Sequence, residues 1–318
     1  MNPAISVILL TTLIGAGQGL FLALYTGQVY AMFEGLPAQD GRSFYALGSA
    51  IALVFLGAGL IASFFHLGHP ERAWRSAAMW RTSWLSREVI VLPLFMLAVF
   101  AYGAVHYFAG GAPLSESTLA IGLAGVVLCF ALFICTGMIY ACLKFLQEWH
   151  SPLTVINYFL LGCASGYMLA TAFSAVVAPA LTTFYAYWAI VFTLTALAAR
   201  SASLLRNARL RPISNLQTAI GVRHPRIVQK SQGAMGGSFN TREFFHGRKQ
   251  PFLRSIKWLF LSLVFPVPLI LLAAGMETAS VVLLMLAFIV QYLGLLAERW
   301  FFFAQANHPQ NLYYQVIS

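Results

Sequence analysis

Charge is what this sequence has least of. Only 9 % of its 318 residues are Asp, Glu, Lys or Arg, where an ordinary soluble domain carries roughly 25 %. Acids are the scarcer sign, nine against nineteen Lys and Arg, for a net charge of +10. Cysteine is limited to Cys129, Cys135, Cys142 and Cys163, all inside apolar runs. None has the CxxC spacing of a zinc site or the multi-cysteine run that holds an iron–sulfur cluster. Cys135 and Cys142 share a helix face and read as small apolar contact residues, so no iron–sulfur cluster is expected in this chain. The positive charge comes without a nucleic-acid recognition motif, which leaves anionic lipid or an acidic protein as its partner and no role for nucleic acid. Gly233-Ala-Met-Gly-Gly lacks the Gly-Lys-Ser/Thr of a phosphate loop. The first apolar run is too long for a cleavable signal peptide, and it lacks the basic start and small-residue exit. No short-period repeat is present.

What the chain has is apolar length. Hydrophobic residues make up 60 % of it and the mean hydropathy is +0.77. A membrane span takes about 20 mostly apolar residues. Such runs fall near 4–32, 44–66, 88–108, 118–146, 154–177, 183–204, 256–275 and 279–303. The expected fold is therefore all-α, a polytopic membrane protein of eight transmembrane helices in a single domain, residues 1–318. An even number of spans puts both termini on one side. Every Lys and Arg except Arg42 then falls on that side, while Glu34, Asp40, Glu116 and Glu277 lie opposite. By the positive-inside rule both termini are cytoplasmic. The sixth connection, roughly 201–256, is a long basic cytoplasmic loop. Twelve cations lie between Arg200 and Lys257 against one acid, Glu243. Phe239, Phe244 and Phe245 supply apolar contacts within it, which suits a docking platform for an acidic partner as well as a topology signal.

The chemistry concentrates between the second and third spans, His66-Leu-Gly-His69-Pro-Glu71-Arg72-Ala-Trp74-Arg75, then Trp80, Arg81, Trp84, Arg87 and Glu88. His66 closes one span and Glu88 opens the next, which puts both at similar depth. Ionisable groups at a membrane boundary are costly unless they have partners or a task. Quinone reduction is a task that fits: it consumes two electrons and two protons, a histidine can donate to a quinone carbonyl, and a partly buried carboxylate can pass protons to it from water. A second reading has His66 and Glu88 only pairing with the neighbouring arginines to anchor the loop. Trp74, Trp80 and Trp84 read as interfacial anchors. Gln18, among Gly15, Gly17 and Gly19, reads as a helix-packing residue, with Gln291 and Asn157 similar. Glu298 beside Arg299 fits a proton path or an internal ion pair. His69 and Arg72 are near enough in sequence to support His66, and His106 receives no role.

The stretch His66-Leu-Gly-His-Pro-Glu-Arg72-Ala-Trp with Ser86-Arg-Glu88 resembles the hallmark of the dimethyl sulfoxide reductase membrane-anchor family (DmsC-like). Met138-Ile-Tyr140 through Gly166-Tyr167 and Glu298-Arg-Trp-Phe-Phe-Phe303 resemble its middle and last helices. The resemblance implies an eight-helix anchor without haem, exchanging electrons between membrane quinone (ubiquinone or menaquinone) and an iron–sulfur subunit wired to a molybdenum catalytic subunit. It places the quinone-site residues at His66 and Glu88; Arg72, close to His66 in sequence, is the third candidate for quinone binding, as an orienting or electrostatic residue. Leu216-Gln-Thr-Ala-Ile-Gly221-Val-Arg-His224-Pro and Gly236-Gly-Ser-Phe-Asn240-Thr-Arg-Glu-Phe-Phe245 are similar to the anchors of membrane-bound sulfite-oxidising molybdoenzymes (SoeC-like). Charge asymmetry agrees, since it puts the His66 face and both partner subunits on the cytoplasmic side of a bacterial inner membrane. The competing readings are a quinol-oxidising reductase anchor, a haem b protein ligated by His66 and His150, an inert tether, and a transporter with a midplane polar site.

Overall fold

A computed structural model describes residues 1–33, 35–37, 39–108, 116–230 and 244–312. Glu34 and the segment 231–243, with Phe239, Glu243 and the Gly233–Gly237 run, lie outside the described residues. Among the described residues, eight helical segments are long and apolar enough to cross a membrane. They comprise α1 (Ile5–Met32), α2 (Leu47–Phe64, preceded by a π turn, Gly41–Ala46), α3 (Trp84–Phe108), α4 (Glu116–Ala141), α5 (Pro152–Val177), α6 (Thr182–Ala208), the pair α8 (Gln250–Val264) and α9 (Pro266–Glu277), and α10 (Val281–Ala304). A short helix, α7 (Leu216–Ile220), sits in the long connection. The described residues contain no strand, as expected of a chain whose backbone must satisfy itself inside lipid.

The centre of the bundle is set by glycine. In α1 and α5, 78 % and 72 % of the apolar window is buried, against 28–39 % in the other spans, so these two helices form the core and the rest surround them. Gly15 and Gly19 of α1 face Gly162 and Gly166 of α5, and a Cβ on Gly19 or Gly166 would run into the facing backbone. Small residues four apart let two helices meet backbone to backbone, which is how van der Waals packing holds helices in lipid.

The seventh span is broken where the sequence-based reading had one continuous helix. Pro266 and Pro268 lack the N–H groups that would close on Ser262 and Val264, and Phe265 departs from helical geometry (φ −112°, ψ −78°). Gln291 of α10 repairs part of the damage. Its Nε2 donates to the Val264 carbonyl at 3.2 Å and to Thr193 Oγ1 at 3.2 Å. Gln291→Leu should therefore leave a buried carbonyl unpaired and cost ~1–2 kcal/mol. A lower thermal midpoint of the solubilised complex, with helix content unchanged, would show it.

The face carrying both termini is tied together by its loops. The Met1 amino group donates to Ala306 O at 2.7 Å. Arg206 at the end of α6 donates to the carbonyls of Gln147 (3.1 Å) and His150 (2.9 Å). The fourth span ends at Ala141, earlier than residue 146, because 142–151 turns back toward α5. In the long connection Asn215 and Thr218 cap α7 reciprocally. Phe244 stacks on His308 at 3.8 Å instead of facing outward.

Candidate functional site

The α2–α3 connection separates the residues that the sequence groups. His66 lies beyond the end of α2 in a turn, exposed, with its protonation pushed below the usual imidazole range by partial desolvation. From His69 the chain enters a 3-10 helix, Pro70–Ala77. There His69 Nδ1 meets Glu71 Oε1 at 3.1 Å and Arg72 Nε meets the same oxygen at 3.7 Å, all on the surface. Arg75, Arg81 and Arg87 lie over Trp74, Trp80 and Trp84 at 5.5, 5.4 and 4.2 Å. Arg87 also donates to the carbonyls of Trp80 and Arg81. Trp74 and Trp80 are exposed and Trp84 is half-buried, and tryptophans at the surface backed by cations are what an interfacial anchor requires.

Glu88 sits differently. Helix α3 begins at Trp84, so Glu88 is a full turn inside it, on the order of 6 Å along the axis. It is 7 % exposed, and its Oε1 accepts a hydrogen bond from Thr136 Oγ1 of α4. It therefore lies deeper than His66, and the two do not share one cavity. Glu88 instead lines a small cavity with Gln18 of α1, Thr136 of α4, Tyr158 and Ser165 of α5, and Arg299 of α10. The cavity measures about 20 Å³. Ligand pockets usually run ~300–1,000 Å³, whereas a water needs ~10–15 Å³. As shaped it accepts water and excludes a ring.

Behind this cavity lies an ionic cluster. Arg200 of α6 is 1 % exposed, Glu298 1 % and Arg299 4 %. Arg200 Nε approaches Glu298 Oε1 at 2.7 Å, and Arg299 Nε approaches Oε2 at 3.2 Å. The Arg299 guanidinium also lies over the Tyr158 ring at 3.9 Å. Tyr158 stacks on Tyr140 (5.7 Å, 9°), and Trp149 stacks on Phe302 (5.4 Å, 13°) while donating to its carbonyl at 2.9 Å. The internal ion pair read for Glu298 and Arg299 is present, with Arg200 added. Arg200, counted with the basic loop in the sequence, is a buried charge inside α6 instead. Its place inside an apolar run was the signal that could have found it.

Gln18 both packs and lines the cavity, its Nε2 donating to Cys129 O at 3.0 Å. His150 Nδ1 meets the Ala141 carbonyl at 2.6 Å and so helps hold the 142–151 turn. His106 is fully buried at the opposite end of α3, stacked on Tyr45 at 4.4 Å. It is far along the helix from Glu88.

The model of the family described as DMSO reductase anchor subunit (DmsC) matches residues 1–314. The chain belongs to that family. It is also similar to a sulfite dehydrogenase subunit of Allochromatium vinosum, 59 % identical over 326 aligned positions that span all of both chains. Membership makes the chain a membrane-anchor subunit, in keeping with its eight apolar spans.

Proposed function

We propose that this membrane anchor passes electrons between an iron–sulfur partner and the membrane quinone pool, in the direction of quinone reduction during sulfite oxidation. The observation that carries the quinone reading is the placement of Glu88: a buried carboxylate in a water-sized polar cavity, one turn inside the face that holds nearly all the cations. The relative named for sulfite dehydrogenase supports the substrate assignment. Charge asymmetry supports a cytoplasmic position for that face and for the iron–sulfur and molybdenum subunits docked on it.

Two electrons arrive from the partner and two protons from cytoplasmic water, converting quinone to quinol. The quinone ring sits toward the membrane boundary, outside the cavity. His66, held neutral at pH 7 by its lowered proton affinity, donates its ring N–H to one carbonyl. Glu88 hands on protons through the cavity water. Arg72, on the surface with Glu71, contributes electrostatically and does not touch the ring. No molybdenum or inorganic substrate binds here.

The test uses the purified complex, assayed for sulfite-dependent reduction of a quinone analogue and for sulfite oxidation with an artificial acceptor. His66→Ala should lower the first about tenfold or more, for a lost hydrogen bond of ~1.5 kcal/mol, and leave the second intact. Unchanged quinone reduction would remove His66 from the site. An intact complex without sulfite activity toward either acceptor would return the chain to the quinol-oxidising reductase reading.

A further inference from the structure

An apolar groove opens on the outer side of the bundle where α1, α8 and α10 meet. It is walled by Ile8 and Leu9 of α1, Phe252 and Ile256 of α8, and Ala297 and Trp300 of α10, and it encloses about 310 Å³. That is the lower end of the ~300–1,000 Å³ range of small-molecule pockets. The groove lies against the Glu88 cavity. Leu9 precedes Leu10 and Leu296 follows Leu295, with Trp300 next to Arg299; in each pair one residue lines the groove and its neighbour lines the cavity. Consecutive helical residues point about 100° apart, so the two spaces occupy adjacent faces of the same two helices. What divides them is the seam between α1 and α10, which is far less extensive than the contacts of α1 with α2 and α5. One hydrogen bond crosses that seam at 3.2 Å, between Thr12 Oγ1 and Tyr292 OH.

Resting on the quinone reading above, we infer that this groove binds the isoprenoid tail of the quinone, whose ring lies at the rim of the Glu88 cavity. Three features select a quinone tail over a membrane phospholipid. The groove's lining offers no cation to an anionic headgroup, because Arg254 and Lys257 of α8 line a different cleft with Phe301 and Ala304. Its inner wall backs onto the polar cavity that holds Glu88 and Arg299, so a ligand with an apolar tail and a hydrogen-bonding ring is matched at both ends. The bond across the seam joins two hydroxyl side chains, which a ring carbonyl could engage in turn.

The experiment compares two quinone analogues with the same ring, one carrying a decyl tail and one without a tail, in the purified complex reconstituted in nanodiscs. Ala297→Trp fills the groove from α10. The KM for the decyl analogue should rise at least tenfold, while kcat, the KM for the tail-less analogue and artificial-acceptor turnover stay as in wild type. If Ala297→Trp does not assemble, Ile256→Phe fills the same groove from α8 and carries the same expectation. A photoreactive group at the tail end should label peptides of α1, α8 and α10. Equal KM values for both analogues in wild type and variant, or labelling confined to other helices, would overturn the groove. So would a phospholipid displaced by the filling variant, seen by native mass spectrometry, with KM unchanged. Wild-type complex that reduces neither analogue would instead sink the quinone reading itself, which keeps the two failures apart.

Discussion

Glu298→Gln is expected to destabilise the protein by about 3–5 kcal/mol, the usual cost of leaving a buried charge without its partner. Domains are stable by only about 5–15 kcal/mol, so the variant should accumulate poorly in membranes and melt well below wild type. The reason is charge arithmetic in a buried site. Glu298 is the carboxylate that meets both Arg200 and Arg299. Neutralising it leaves two guanidinium groups buried side by side, with aromatic faces as their nearest compensation, Phe260 at 5.4 Å from Arg200 and Tyr158 at 3.9 Å from Arg299. The prediction has an internal check. Arg200→Met alone should also destabilise, but Arg200→Met with Glu298→Gln removes one charge of each sign and should recover about 1–3 kcal/mol of the summed losses. Additive losses in the double variant, measured by thermal unfolding of the solubilised complex, would mean that the pair contributes little and that cavity or packing effects dominate.

The parts of this fold legible in the sequence were those written as apolar length and loop charge. The spans at 4–32, 154–177 and 279–303 lie within two residues of α1, α5 and α10 at both ends, since lipid permits little besides a helix over such runs. The Phe265 break was not read, although Pro266 and Pro268 stand in the sequence. A proline pair can also be carried by a kinked continuous helix, and what holds the break open is Gln291, 23 residues past Pro268. The long connection proved shorter than 201–256, because α6 runs on to Ala208 and α8 starts at Gln250. Amphipathic helix ends at an interface look like loop by hydropathy alone.

The site was legible as chemistry and misjudged as geometry. The motif from His66 to Glu88 pointed to one hairpin, but four residues of extra helix before Glu88 carry its carboxylate inside the bundle while His66 stays outside. Spacing along the chain cannot report that, since it depends on where Trp84 begins the helix. Tyr158, Thr136 and Arg200, which surround Glu88 or its neighbours, come from α5, α4 and α6. No local pattern links residues that far apart in sequence, although each one is a polar side chain in an apolar span.

Glu88→Gln should separate proton delivery from everything else the complex does. Quinone-linked turnover is expected to fall by about 10²–10⁴, the range for losing a positioned acid–base group, with artificial-acceptor turnover unchanged because those electrons never reach the membrane anchor. Gln keeps the shape and can still accept from Thr136, so the loss would belong to the exchangeable proton. The same substitution changes the polar lining of the cavity that Glu88 shares with Arg299. A modest fall in thermal midpoint is therefore expected, and turnover must be compared at a temperature where both proteins are fully folded. Glu88→Asp supplies the discriminating case. It retains a carboxylate but withdraws it one methylene from Thr136 and the cavity, so its turnover should fall between wild type and Glu88→Gln. If Glu88→Gln turns over like wild type while His66→Ala does not, protons reach the quinone from the loop side, and the cavity is a structural water site. If both variants fail only with quinone, the ring is held at the rim by His66 and fed from behind by Glu88, so one side chain has to be outside the bundle and the other within it.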